Sequence, residues 1–145
     1  MGLFLRKILI SLLFLLGILC NQQNQFFLIK ENTVFIKGQA DEEGIFCGTG
    51  EIKETVFGNL IWKKIYLRVP EEWDVRFCDN LGCHWDFPDS INLKKFDKNS
   101  SRKERALKLI VNPNNQKGEG AAYLLVYKSE YPELIDTLYY YINIE

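Results

Sequence analysis

This chain is poor in the residues that usually carry chemistry. Its one histidine is His84, its only methionine is Met1, and it has four cysteines and four prolines among 145 residues. A blue-copper centre draws on two histidines, a cysteine and usually a methionine, so that class is excluded. A Ser-His-Asp site would have to use His84, and no nucleophile motif lies near it. Clustered basic excess is also missing. The net charge is −1, the charges are interspersed, and the densest run, Arg102-Lys103-Glu104-Arg105, contains its own acid. Nucleic acid is therefore not an expected partner, and the run reads as a solvated strand end.

What is present begins with a leader. Arg6 and Lys7 form a positive start, and Ile8 to Leu19 follow without a charge and with Ser11 as the only polar residue. That stretch suits the apolar region of a secretory signal peptide over residues 1–20 and is short for a membrane span of about 20 residues. An uncleaved N-terminal anchor is the other reading. Cys20 is either a lipidation site or the residue before an ordinary cleavage that leaves Asn21 first. Leu19 is larger than the residue usually found before a lipidated cysteine. Membrane attachment is expected only through the leader or such a lipid. Losing Arg6 and Lys7 shifts the charge two units further negative. The remaining chain suits one domain with a core of its own, expected over residues 33–145 after a short lead-in at 21–32.

Period-two alternation with β-branched and aromatic residues recurs along that domain. The pattern predicts strands at Thr33–Lys37, Ile45–Thr55, Asn59–Val69, Trp73–Cys78, Ser90–Phe96, Arg105–Asn112, Gly120–Lys128 and Leu138–Ile144, with a short one at Phe26–Ile29. Gly48 and Gly50 imply either a bulge or close packing on a neighbour. Turn chemistry separates the strands, as in Asn112-Pro113-Asn114-Asn115-Gln116-Lys117-Gly118. Seven or eight short antiparallel strands and no long helical period after the leader predict an all-β, immunoglobulin-like sandwich. Tyr139-Tyr140-Tyr141 reads as a late strand that packs inward through Tyr140 and covers the outer face with the other two. The alternative is an exposed tyrosine ladder for a partner or glycan.

With Cys20 in the leader, Cys47, Cys78 and Cys83 remain. Cys78 and Cys83 flank the turn-forming Asp79-Asn80-Leu81-Gly82, and an exported chain permits a bridge between them. Cys47 is then a small buried apolar residue, unless it pairs with one of the other two. A redox pair would normally be C-x-x-C at a helix start. A metal or redox site built from Cys47, Cys78, Cys83 and His84 has suitable ligand types, but adjacent Cys83 and His84 on an extended chain face opposite ways. The acidic pairs Glu42/Glu43, Glu71/Glu72 and Asp86/Asp89 read as solvated turns.

Taken together, Trp62, Val69-Pro70-Glu71-Glu72-Trp73, Phe77-Cys78-Asp79, Cys83, Val111-Asn112-Pro113 and Lys117-Gly118-Glu119-Gly120 resemble the pattern of Ig-like modules in secreted Bacteroidetes proteins. The resemblance spans about residues 46 to 144. The chain departs from that pattern at Glu72, where glycine is favoured, and at His84, where tyrosine is common. The resemblance implies a β-sandwich with a disulfide-tied loop and brings no catalytic residues. The expectation is an exported, non-catalytic module without cofactor, acting in adhesion, assembly or recognition of a cell-surface protein or glycan.

Overall fold

The computed structural model describes residues 27–41 and 44–145. The expected leader at 1–20, Cys20, the lead-in up to Phe26 and the Glu42/Glu43 pair lie outside the described residues.

Among the described residues, nine strands form two layers. They are β1 (Thr33–Gly38), β2 (Phe46–Glu51), β3 (Leu60–Arg68), β4 (Asp74–Asp79), β5 (Gly82–His84), β6 (Ser90–Asn92), β7 (Ala106–Asn112), β8 (Gly118–Lys128) and β9 (Ile135–Ile144). One sheet has the order β1-β9-β8-β3-β6 and the other β2-β7-β4-β5. The expected sandwich is present, with β5 added to the predicted strands and the short strand expected at Phe26–Ile29 reduced to a bridge at Ile29. β5 is three residues long and gives no readable period. β1 runs parallel to β9, Thr33 opposite Tyr139 and Gly38 opposite Ile144. The cause lies upstream. Ile29 bridges Ile52 beside the four-stranded sheet, and the chain then crosses to the other layer to start β1. Leu28 and Ile29 are buried with the core, which therefore extends upstream of Thr33.

Alternation decides what fills the interior. Leu60 and Trp62 of β3, Leu107, Leu109 and Val111 of β7, and Ala122, Leu124 and Val126 of β8 point inward with Leu138, Tyr140, Ile142 and Ile144 of β9. Gly48 and Gly50 resolve to close packing. The β2–β7 register runs unbroken from Phe46–Val111 to Glu51–Ala106, so there is no bulge. A Cβ at Gly48 would lie 2.6 Å from Ile36, and one at Gly50 2.5 Å from Leu138. The same parity turns Cys47 outward. It is a free, exposed cysteine and not the buried apolar residue expected from its type.

The glycines of Lys117-Gly118-Glu119-Gly120 have a similar cause. A side chain on Gly118 would sit 2.9 Å from Pro70, and one on Gly120 2.9 Å from Val69 and 3.2 Å from Trp73. The turn closed by Trp73 N–H on Pro70 C=O (3.1 Å) docks there, and the Trp73 indole donates to Gln116 C=O at 3.0 Å. Glu72 is tolerated where the family pattern favours glycine because its φ is not positive. At the facing turn, which carries the chain from β7 in one sheet to β8 in the other, Asn114 and Asn115 have the positive φ values of 50° and 62° that a type I′ turn requires.

Tyr140 is fully buried and its hydroxyl donates to Leu107 C=O at 2.7 Å. Burial pushes its phenol far above the ordinary tyrosine range. In the unfolded chain the group titrates near pH ~10. The native state holds it neutral, so its stabilisation is complete below that pH and drains away as the pH rises further. Wild type should therefore lose about 1.4 kcal/mol per pH unit above pH ~10 relative to Tyr140→Phe, which itself costs roughly 1 kcal/mol at neutral pH. Urea unfolding of both proteins between pH 8 and pH 11 checks this; parallel curves would refute it.

Candidate functional site

The two outer faces of the sandwich differ in kind. On the four-stranded side the outward positions are mostly small or polar, among them Cys47, Thr49, Lys108 and Arg76, together with the Cys78–Cys83 disulfide and one exposed ring, Trp85, stacked on the Arg76 guanidinium at 3.5 Å. Cys78 and Cys83 are paired directly across the β4–β5 hairpin, so a short covalent tie closes a loop that the ladder already holds. On the chain-entropy model such a bridge is worth about 2 kcal/mol. A reductant should lower the unfolding free energy from urea titration by about 2 kcal/mol and leave the domain folded, as read by near-UV circular dichroism.

His84 follows Cys83 and points the other way, toward the core, as alternation requires. Its Nε2 lies 2.9 Å from Asp79 Oδ2, and the same oxygen accepts from Trp62 Nε1 at 2.8 Å. Oδ1 of Asp79 accepts from Leu81 N–H at 2.7 Å and closes the turn. The Asp79 side chain is fully buried. This explains why aspartate follows the cysteine in the motif: it anchors the core tryptophan and the hairpin turn at once. Cys47, Cys78, Cys83 and His84 do not form a metal centre. Two of the four are oxidised to a disulfide, Cys47 lies on the far edge strand, and His84 is engaged by Asp79. Among the described residues there is no cluster of three side chains fit to hold a metal.

Among the described residues the acidic side chains do not converge on a catalytic arrangement. Glu71 and Glu72 are exposed in the turn before β4. One open cavity of about 330 Å³ is lined by both Glu31 and Asp136. There Asp136 accepts the Ile29 N–H at 3.2 Å and the Thr137 N–H at 2.9 Å, so each of its oxygens holds main chain. Arg105 corrects the sequence reading of the charged run. Arg102, Lys103 and Glu104 are exposed as expected, but Arg105 is 1% exposed.

The five-stranded sheet presents aromatic rings instead. Phe35 on β1 stands opposite Tyr141 on β9, Tyr139 on β9 opposite Tyr123 on β8, and Tyr123 opposite Tyr66 on β3. Tyr66 joins this row because the β3–β8 register shifts between Lys64 and Tyr66, which carries the tyrosine from the inner to the outer face. Phe35 and Tyr141 stack at 5.8 Å and Tyr66 and Tyr123 at 4.8 Å. Tyr123 meets Tyr139 and Tyr141 edge-on at 5.0 and 5.9 Å. Five rings thus form one connected band across four strands. Phe35 is 68% exposed, Tyr66 40% and Tyr141 39%. The Tyr141 hydroxyl, acting as a hydrogen-bond partner, holds the Tyr123 phenol above the usual tyrosine range. The sequence reading of Tyr139-Tyr140-Tyr141 agrees with this placement, Tyr140 inside and its neighbours outside.

No protein-family model and no curated protein matches the chain. Solved structures do resemble it. The chain is similar to the N-terminal domain of PorA, with a TM-score of 0.57 and 17% identity over 79% of this chain and 90% of that one. It is also similar to PapD-like domain 7 of human CEP192 (TM-score 0.41, 14% identity, 81% of this chain and 82% of that one). A third similar structure is WR4, a C. elegans MSP family member (TM-score 0.46, 9% identity, 81% of this chain and 98% of that one). At 17% identity the likeness to the PorA domain is one of fold. The chain is an immunoglobulin-like β-sandwich of two sheets, tied by a disulfide.

Proposed function

We propose that this protein is an exported, non-catalytic binding or assembly module that engages its partner through the outer face of the five-stranded sheet. The carrying observation is the connected band of Phe35, Tyr141, Tyr139, Tyr123 and Tyr66 on a face that no other described residue covers. Aromatic side chains are costly to leave in water and are enriched where proteins meet partners. Tyrosine serves this role well because its ring is apolar and its hydroxyl remains solvated. The leader at 1–20 and the disulfide support export, since such bridges persist in oxidising compartments. The engagement of Asp136 and Asp79 in holding main chain and core side chains supports a non-catalytic role.

The test is binding of the purified mature protein to the surface of the source cells. The double variant Tyr66→Ser/Tyr141→Ser should keep the wild-type Tm within a few degrees and lose at least tenfold in cell-surface binding. Full retention of binding by a folded double variant would refute the surface assignment.

A further inference from the structure

The band of rings is interrupted beside Tyr141 by a shallow trough of about 340 Å³, lined by Tyr66, Arg68, Glu119, Gly120, Ala121 and Tyr141. Its floor is main chain and a methyl group. Ala121 stands opposite Tyr141 on one side and Arg68 on the other, and the small side chain leaves room between the two walls. Tyr66 and Tyr141 supply the apolar walls. Arg68 and Glu119 stand at the rim, and among the described residues neither has a side-chain hydrogen bond or ion pair. On the far flank of Tyr141 a second open cavity of about 320 Å³ shares Glu119 and Tyr141 and adds Phe35, Lys37 and Asn143. Rings and polar side chains therefore border both cavities.

We propose that this trough is a carbohydrate subsite that takes a pyranose unit of a polysaccharide or surface glycan; the proposal rests on the reading of the aromatic face as the binding surface. A pyranose ring offers a face of C–H groups with partial positive charge, which suits the negative face of an aromatic ring. Around its edge it offers hydroxyls that both donate and accept. The Glu119 carboxylate accepts from them, and the Arg68 guanidinium donates in a fixed fork. The volume lies at the lower end of the range for small-ligand sites, where a few polar groups among apolar walls fix orientation.

Two other ligand classes fit less well. The centre of a protein interface is depleted of glutamate, whereas here Glu119 lines the trough beside Tyr141. A polyanion such as nucleic acid would meet Glu119 and a chain of net charge −1.

The experiment is an array of purified polysaccharides, covering β-glucans, mannans, xylans, galactans and peptidoglycan, probed with the mature protein. It is paired with cell-surface binding before and after periodate oxidation of the cells, which cleaves vicinal diols. The expected result is binding to at least one polysaccharide, weakened at least tenfold by Glu119→Gln and by Tyr141→Ala at unchanged Tm. Lys108→Ser, on the opposite sheet, should leave that binding unaltered. No retention by any polysaccharide, or retention untouched by both site variants, overturns the proposal. Cell-surface binding that survives periodate but is lost in Tyr66→Ser/Tyr141→Ser overturns the carbohydrate assignment alone. Binding that survives both overturns the surface reading as well.

Discussion

Replacing Arg105 by methionine is expected to cost the domain about 4 kcal/mol and to lower Tm by roughly 10–20 °C. The guanidinium is buried and, among the described residues, has no carboxylate oxygen within 4 Å. Nε donates to Ser100 C=O at 3.3 Å, one terminal nitrogen to Lys53 and Val56 C=O at 2.8 and 2.9 Å, and the other to Asp97 C=O at 2.8 Å. Those carbonyls belong to two connections, one from β2 to β3 and one from β6 to β7. One side chain thus fastens both at one end of the sandwich. Phe57 and Phe96 flank the guanidinium with ring centroids at 6.0 and 5.3 Å. Methionine fills much of the space and cannot donate, so buried carbonyls lose their partners. Arg105→Lys should recover less than half of the loss, because an ammonium cannot reproduce a planar fork over four acceptors. Thermal unfolding of the three proteins checks both statements; a methionine variant within 1 kcal/mol of wild type would remove this role.

Asp79→Ala is expected to cost roughly 3 kcal/mol. The substitution leaves the Trp62 indole N–H buried without an acceptor, frees the His84 ring, and opens the Leu81 turn, all consequences of losing one carboxylate. Trp62 is fully buried and contacts Phe77 at 4.8 Å and Phe87 at 6.0 Å, so a shift of its ring disturbs the centre of the core. Asp79→Asn keeps an acceptor for the indole and should cost less than half as much. The near-UV circular dichroism of Trp62 and urea unfolding of each variant give the comparison. Equal stabilities for alanine and aspartate would show that the carboxylate does not hold the tryptophan.

The strand pattern was legible wherever one face was apolar over several residues, as in β7 and β9. β5 was not legible, because three residues cannot show a period. The parallel pairing of β1 with β9 was also hidden, since it follows from a crossing between layers that alternation does not encode. Gly48 and Gly50 announced a special contact, but the choice between a bulge and close packing needed Ile36 and Leu138 in place. Arg105 was concealed in a run of charges, and its burial depends on carbonyls from two distant connections. The hairpin disulfide was readable from spacing and turn residues, whereas the acceptor role of Asp79 was not, because it is set by the Trp62 ring across the core. On the candidate face, Tyr139 and Tyr141 were readable as an outward pair. Tyr66 was not, because alternation from Trp62 places it inside, and no glycine or proline marks the register shift after Lys64 that brings it out.

The most direct measurement is hydroxyl-radical footprinting of the mature protein, free and bound to source-cell envelopes. Binding through the aromatic band predicts that protection is concentrated at Phe35, Tyr66, Tyr123, Tyr139 and Tyr141, with Arg76 and Trp85 on the opposite side as reactive as before. Protection centred on the four-stranded face, with Phe35 and Tyr141 still fully reactive, would contradict it.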